Sequence, residues 1–369
     1  MDGGGGGGTD RRRRSAMVLG GGSLLLVAAA EACVGEDPPF QPTSQQTDGG
    51  GDGNASSSSG ASGSSSSSSS GTGSSSSSGG PFDAGPDTDG GPCERTKGFG
   101  APEPLVQLNS AKGAYSVTSL RFARKGFYFS SDPDSGSAPG DTSTGLDIYA
   151  VEVANGTFGT PHKLEVLSTS AVEDVSPTES DDGTTIFYSS GAYYDRRLKR
   201  GQRNSVEAAL GIDYNTPPTT LPKVRAASSR ETDPYLAGTR LYFAAADGDA
   251  STDLLGIYSV SINAEGLPGN DVVKALASAG ENRFPVVAAD ESELFYSHAE
   301  LVGTSIAQVL YRATPASAPH TFESQSKVFV TPPGLYVSAT ELSRDACDLY
   351  LSIRDEGGRF RVFVAHRLR

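Results

Sequence analysis

Apolar side chains in this sequence gather in short clusters separated by polar runs, and the clusters recur. Five triplets stand out: Phe127-Tyr128-Phe129, Ile186-Phe187-Tyr188, Leu241-Tyr242-Phe243, Leu294-Phe295-Tyr296 and Leu349-Tyr350-Leu351, with central residues 59, 55, 53 and 55 apart. A continuous apolar triplet predicts a strand buried on both faces. Each triplet is followed by a polar loop and then an alternating strand, as in Tyr149, Val151 and Val153, or Tyr258, Val260 and Ile262. The fourth copy offers Leu310-Tyr311 and the fifth Val362-Phe363-Val364, while the second is degraded around Ile212 and Tyr214. Ahead of the triplets stand Thr118, Pro177, Pro234, Pro285 and Thr340, which mark a further strand in each copy.

Outer strands at Leu164–Leu167, Lys223–Arg225, Val272–Leu276 and Lys327–Val330 bring the first four copies to four strands each. The fifth copy ends without one, and a spare strand, Leu105–Leu108, precedes the first. Pairing Leu105–Leu108 with Arg361–His366 would complete the last copy and remove an open sheet edge. The expected fold is therefore all-β: a single β-propeller of about five four-stranded blades over residues 101–369, closed by an N-terminal outer strand.

The best copy of the first half of the repeat reads Glu173, Pro177, Asp182-Gly183 and Ile186-Phe187-Tyr188, and Asp147-Ile148-Tyr149 supplies the second half. Glu231, Pro234, Gly238 and Leu241-Tyr242-Phe243 follow the same order, as do Glu281 and Pro285. This pattern resembles the WD40-like, TolB-type (PD40) propeller repeat. The resemblance implies that the loops between second and third strands share one face with those entering each first strand. Residues 131–146, 189–211, 244–255 and 297–307, the long insertions, would all lie on that face and make it the contact surface.

The N-terminal third is of another kind. Arg11–Arg14, the apolar segment Ala16–Ala30 and then Ala30-Glu31-Ala32-Cys33 follow the order of a secretory signal over residues 1–32. Cleavage before Cys33 would expose a cysteine for lipid attachment, which resembles a bacterial lipoprotein signal; an ordinary Ala-x-Ala processing site is the alternative. Residues 33–100 are dominated by Ser and Gly and read as a disordered tether. The sixty residues between Cys33 and Cys93 would reach about 40–45 Å as a flexible coil. The expected location is the outer membrane or periplasm of a Gram-negative bacterium, or its cell surface, with membrane contact through the lipid anchor only.

Charge narrows the partners. A formal net charge of −14 disfavours nucleic acid and anionic lipid surfaces. One segment breaks the trend: Tyr193, Tyr194, Arg196, Arg197, Arg200 and Arg203 form a basic and aromatic run that would dock an anionic partner, unless its charges simply face water. Glu173, Glu231 and Glu281 precede three innermost strands and would stand at the channel mouth, either converging on a cation such as Ca²⁺ or bracing neighbouring blades. The run Asp247–Asp253 opens like a calcium loop but has Tyr258 where the bidentate acid belongs. No other metal spacing and no G-x-S-x-G elbow is present in the folded region, so no cofactor and no catalytic residue is assigned. Cys93 and Cys347 would lie together on the face opposite the long loops and form a disulfide, or remain two free thiols. The expected function is a monomeric, non-enzymatic module that binds a protein or other envelope component. A carbohydrate-active five-bladed propeller with paired carboxylates in its funnel is the alternative.

Overall fold

In a computed structural model the chain is described over residues 93–368, apart from 110–115, 133–144, 155–156, 169–171, 204–213, 215–217, 226–227, 247–253, 303–304, 332–334 and single positions 229, 277 and 356. The signal segment, residues 33–92 of the expected tether with Cys33, and the Asp247–Asp253 run therefore lie outside the described residues, while residues 93–100 are held against the ring by the Cys93–Cys347 disulfide and the Phe99–Arg367 bridge.

Strand β1 (Glu103–Pro104) and the single-turn helix α1 (Val106–Asn109) come first. Blade one follows with β2 (Val117–Ala123), β3 (Gly126–Ser131) and β4 (Asp147–Ala154), against which both β5 (Thr157–Phe158) and β6 (His162–Lys163) pair. Blade two is β7 (Glu173–Glu179), β8 (Thr185–Gly191), β9 (Arg197–Gln202) and β10 (Thr219–Thr220). Blade three is β11 (Glu231–Ala237), β12 (Arg240–Ala246), β13 (Leu255–Ser261) and β14 (Val273–Lys274). Blade four is β15 (Asn282–Val287), β16 (Leu294–Val302), β17 (Ser305–Pro315) and β18 (Phe322–Val330). Blade five is β19 (Val337–Leu342), β20 (Asp348–Arg354) and β21 (Phe360–His366), with β1 as its fourth strand. All pairings within the blades are antiparallel. The fold is a five-bladed β-propeller.

The apolar triplets sit on the second strands, and alternate side chains of one triplet enter different cores. Phe127 and Phe129 pack with Val117 and Val362 toward blade five, whereas Tyr128 packs with Ile186 and Tyr188 of blade two. A strand sandwiched between two neighbours has no solvent face, which is why no alternation is seen there. Every inner strand carries a register shift. In four of them the shifted residue adopts a left-handed backbone: Ser119 (φ 53°), Ser176 (φ 56°), Asp233 (φ 53°) and Phe284 (φ 53°). Pro177, Pro234 and Pro285 come directly after three of these residues, where the bulge interrupts the ladder and a missing N–H costs no pairing.

A serine after four of the five triplets joins neighbouring blades; blade three has Ala244 at this position. Ser130 Oγ accepts from Ser176 N–H at 3.0 Å and Ser189 Oγ from Asp233 N–H at 3.1 Å, satisfying groups at the bulges. Ser297 Oγ donates to the Val337 carbonyl at 2.8 Å, and Ser352 Oγ to that of Val117 at 2.7 Å, at the first residues of β19 and β2.

Ring closure occurs where it was expected but with different residues. Glu103 pairs with Val364 and Pro104 with Phe363, and Leu105 N–H reaches the Val362 carbonyl at 2.9 Å. From Val106 the chain leaves the sheet as α1, so the Leu105–Leu108 strand is corrected to Glu103–Pro104. Leu108 is thereby buried in the core between blades one and five. Asn109 then acts as a surrogate strand residue: its amide accepts from Val362 N–H at 2.9 Å and donates to the Val362 carbonyl at 2.8 Å.

The outer strands of blades one and two also shift, whereas those of blades three and four fall where expected, at β14 and β18. Leu164–Leu167 is a turn after β6, because Leu164 and Leu167 fold back into the core of blades one and two. In blade two the outer strand is Thr219–Thr220 rather than Lys223–Arg225, and the third strand is β9 rather than the segment around Ile212. Tyr214 instead forms an isolated bridge with Arg203. Residues 297–307 are mostly a β16–β17 hairpin instead of a loop.

Cys93 and Cys347 are joined by a disulfide across a sequence separation of 254. Beside it Arg367, whose side chain is fully buried, grips both carboxylate oxygens of Glu293 at 2.9 and 3.0 Å. The same guanidinium bonds the carbonyls of Arg95, Lys97 and Ala346 and lies 4.4 Å over the Phe99 ring. Arg312 also pairs with Glu293 at 2.6 Å.

Replacing Cys347 by serine is expected to lower unfolding free energy by about 2–4 kcal/mol, measured by chemical denaturation; an unchanged midpoint would assign closure to Arg367 and β1 alone. Ser189→Ala strands a buried Asp233 N–H and should cost about 1–3 kcal/mol in the same assay.

Candidate functional site

The inner strands run from one face of the ring, where Glu173 and Glu231 begin β7 and β11, to the other. Their side chains fill the axis with a polar network. Ser119 Oγ meets Ser176 Oγ at 3.1 Å, and Ser176 Oγ donates to Asp233 at 3.4 Å. Asp233 holds the Arg283 guanidinium through two bonds of 2.9 and 3.2 Å. Four successive blades are thus linked by side chains alone.

Nearer the far end Glu341 of blade five accepts from Tyr235 Oη of blade three at 2.8 Å and from Phe122 N–H of blade one at 2.9 Å. Blades three and five are not neighbours, so these groups meet across the axis. Arg121 lies there too, 4.8 Å over the Tyr235 ring and only 1% exposed, and its three guanidinium nitrogens make no hydrogen bond among the described residues. Burial lowers its pKa, against the raising pull of Glu341.

Burial pushes the Asp233 carboxyl up, but the charge and hydrogen bonds of Arg283, with Arg196 behind, outweigh it and hold the group below the ordinary carboxylate range. Glu341 and Glu231 go the other way, raised chiefly by burial despite the donors that face them.

The mouth is capped by the short connection between β8 and β9. Tyr193 reaches from blade two over Arg230 of blade three (4.7 Å to the ring) to Arg283 of blade four (5.6 Å), whose guanidinium also contacts the Tyr193 hydroxyl at 3.4 Å. Arg196 stacks at 5.5 Å and is itself paired with Glu173. Tyr194 stands edge-on to Tyr193 at 5.0 Å and 89°. Tyr193 is 40% exposed and Tyr194 67%, whereas Arg196 and Arg230 are buried beneath them. Gly191, at φ 132°, lets the chain enter this connection; a Cβ there would come within 2.6 Å of the Asp195 carbonyl.

The six residues expected to form one basic contact loop therefore separate. Tyr193, Tyr194 and Arg196 meet at the mouth; Arg197 lies beside Asp195 at 3.7 Å. Arg200 is on β9 and bonds the Glu265 carbonyl of the next blade. Arg203 is buried at the far end, paired with Glu179 at 3.2 Å and stacked on Tyr214. Arg196 and Arg203 are thus buried counterions of Glu173 and Glu179, while Arg197 and Arg200 stay partly exposed. Glu173 does reach the mouth, through Arg196, and half-buried Glu281 lies within electrostatic range of Arg283. Glu231 instead turns inward and accepts from Arg225 N–H at 2.7 Å.

Sequence reasoning missed Arg230, Asp233 and Arg283. Of these only Asp233 has a positional signal, as the residue directly before the inner-strand Pro234. Among the described residues no group of three or more metal-ligating side chains occurs, and no helix is long and apolar enough to cross a membrane.

No family model and no curated protein sequence matches this chain. Solved structures do. TolB from Acinetobacter baumannii aligns at 15% identity and a TM-score of 0.36, over 68% of this chain. The chain spans about half, 54%, of that TolB structure. A thermostable family-43 glycoside hydrolase aligns at 11% identity and TM-score 0.43, covering 71% of this chain and 92% of its own. A glycosyl hydrolase from Bacteroides ovatus gives 11%, 0.43, 72% and 94% in the same terms.

Arg283→Met leaves the Asp233 carboxylate buried without its main partner and should cost about 3–5 kcal/mol at pH 7. Asp233 is depressed in the native protein, so its stabilising share is present above the unfolded carboxylate pKa and is lost as pH falls through the native one. In the variant the carboxyl rises and protonates readily. The penalty should shrink between pH 7 and pH 4, and denaturation curves at the two values check this; a penalty equal at both would place the lost stability in packing.

Proposed function

We propose that this chain is an exported, lipid-anchored propeller of the bacterial envelope that binds a protein through the mouth of its ring, without turnover. The observation that carries the reading is the Tyr193–Tyr194 pair: two exposed aromatic rings fixed in advance by arginines drawn from three blades. Tyrosine and arginine are enriched among residues that dominate protein interfaces, and a prefixed ring loses little rotamer freedom on binding. Cys33 is the proposed lipid attachment site, with the Ser/Gly segment as the spacer. The Cys93–Cys347 disulfide suits an oxidising compartment and so supports export.

A carbohydrate-cleaving reading would require a pair of carboxylates turned to a substrate. Glu173, Glu231 and Asp233 are instead engaged by Arg196, Arg225 N–H and Arg283 respectively. Their engagement favours binding over hydrolysis.

Affinity capture from envelope extracts with the full chain, compared with Tyr193→Ala/Tyr194→Ala, tests the proposal. A partner retained by the parent and lost by the double variant is expected. Identical partner lists would remove the mouth as the contact surface.

A further inference from the structure

The chemistry that the mouth offers a partner is the reverse of what its sequence suggests. In sequence the segment 193–203 is basic; in the folded ring its cations at the mouth face inward. Arg196 and Arg230 are buried, and the Arg283 side chain is largely covered. Arg196 is paired with Glu173 and Arg283 with Asp233. Among the described residues what remains toward solvent is the Tyr194 ring, part of the Tyr193 ring, the Asp195 side chain (78% exposed) and part of Glu173 (37%). Arg197, beside Asp195, is one-quarter exposed and is the remaining cation of this connection.

By count the mouth is balanced, with Glu173, Asp195, Asp233 and Glu281 against Arg196, Arg197, Arg230 and Arg283; what sets its sign is which of these groups are exposed, on a chain of net charge −14. An anion approaching here meets carboxylates at the surface while the guanidinium groups that might receive it are already bonded and covered. A cation meets the opposite arrangement: Tyr194, 67% exposed to solvent with buried Arg230 6.0 Å from its ring centroid, attracts it through the ring quadrupole, and an exposed carboxylate stands one residue away.

We infer that the mouth receives a basic peptide segment, with a lysine or arginine of the partner stacked on Tyr194 and paired with Asp195. This rests on the protein-binding reading above and specifies the partner's charge. Tyr193 does not touch the partner's cation; clamped between three guanidinium groups, it holds Tyr194 upright through their edge-to-face contact.

Fluorescence anisotropy of three labelled peptides of equal length, one Lys/Arg-rich, one Asp/Glu-rich and one neutral, tests the inference on the full chain. The basic peptide should bind, more weakly as salt rises, and the other two should not. Tyr194→Ala and Asp195→Asn alter exposed side chains and should each weaken binding, Tyr194→Ala by about tenfold. Binding of the acidic peptide at equal or greater strength overturns the inference, as does a basic peptide whose affinity is unchanged in both variants. If no peptide binds while capture of an envelope protein still requires the tyrosines, the charge assignment fails and the protein-binding reading stands. If capture is also indifferent to the tyrosines, both fail.

Discussion

A ring of sheets exists only if its last blade is completed by its first residues. In this chain the backbone share of that closure is two residue pairs in β1, one further bond from Leu105, and the Phe99–Arg367 bridge with the Gly100–His366 and Leu368–Gly98 bonds beside it. The rest is carried by side chains. Asn109 occupies both backbone groups of Val362, and Arg367 gathers carbonyls from the N-terminal segment while bound to Glu293. Removing one partner of a buried ion pair costs far more than the pair's net worth. Closure is therefore a commitment of several groups at once, and the disulfide locks it covalently.

The same logic runs down the axis. Bulged inner strands free backbone groups from their ladders, and a serine from the preceding blade bonds a freed or end group in four places. Polar side chains then meet around the axis instead of leaving a wide bore. Ser119, Ser176, Asp233 and Arg283 connect blades in sequence, and Tyr235 with Glu341 connects blades that are not adjacent. The fold thus positions Tyr193 indirectly: the Asp233–Arg283 pair that ties two blades together also supplies one wall of the tyrosine's seat.

Much of this fold was legible because its signal is apolar and periodic. Triplets buried on two faces cannot be mistaken for loops, and the missing strand of the fifth blade pointed to closure from the N-terminus. The third strand of blade two was illegible for a physical reason. β9 buries Leu198 on its blade-three side and Gly201 on its blade-one side, where a Cβ would come within 2.9 Å of Leu167. Packing that close demands glycine, and with a single apolar side chain in the strand the half-buried Arg197, Lys199 and Arg200 read as a basic loop. The candidate site suffered accordingly. Its residue types were found, but exposure depends on which guanidinium already has a carboxylate, and Glu173 and Asp233 are brought to their partners only by the ring.

The position of Cys93 has a mechanical consequence. A pull applied to the chain ahead of Cys93 would otherwise act first on the Phe99–Arg367 bridge and the two pairs of β1, at the edge of blade five. The bond to Cys347 diverts that tension into the turn ahead of β20, a central strand paired with β21 along seven residues and with β19 along five. The load then falls on an inner strand of the blade instead of on its seam.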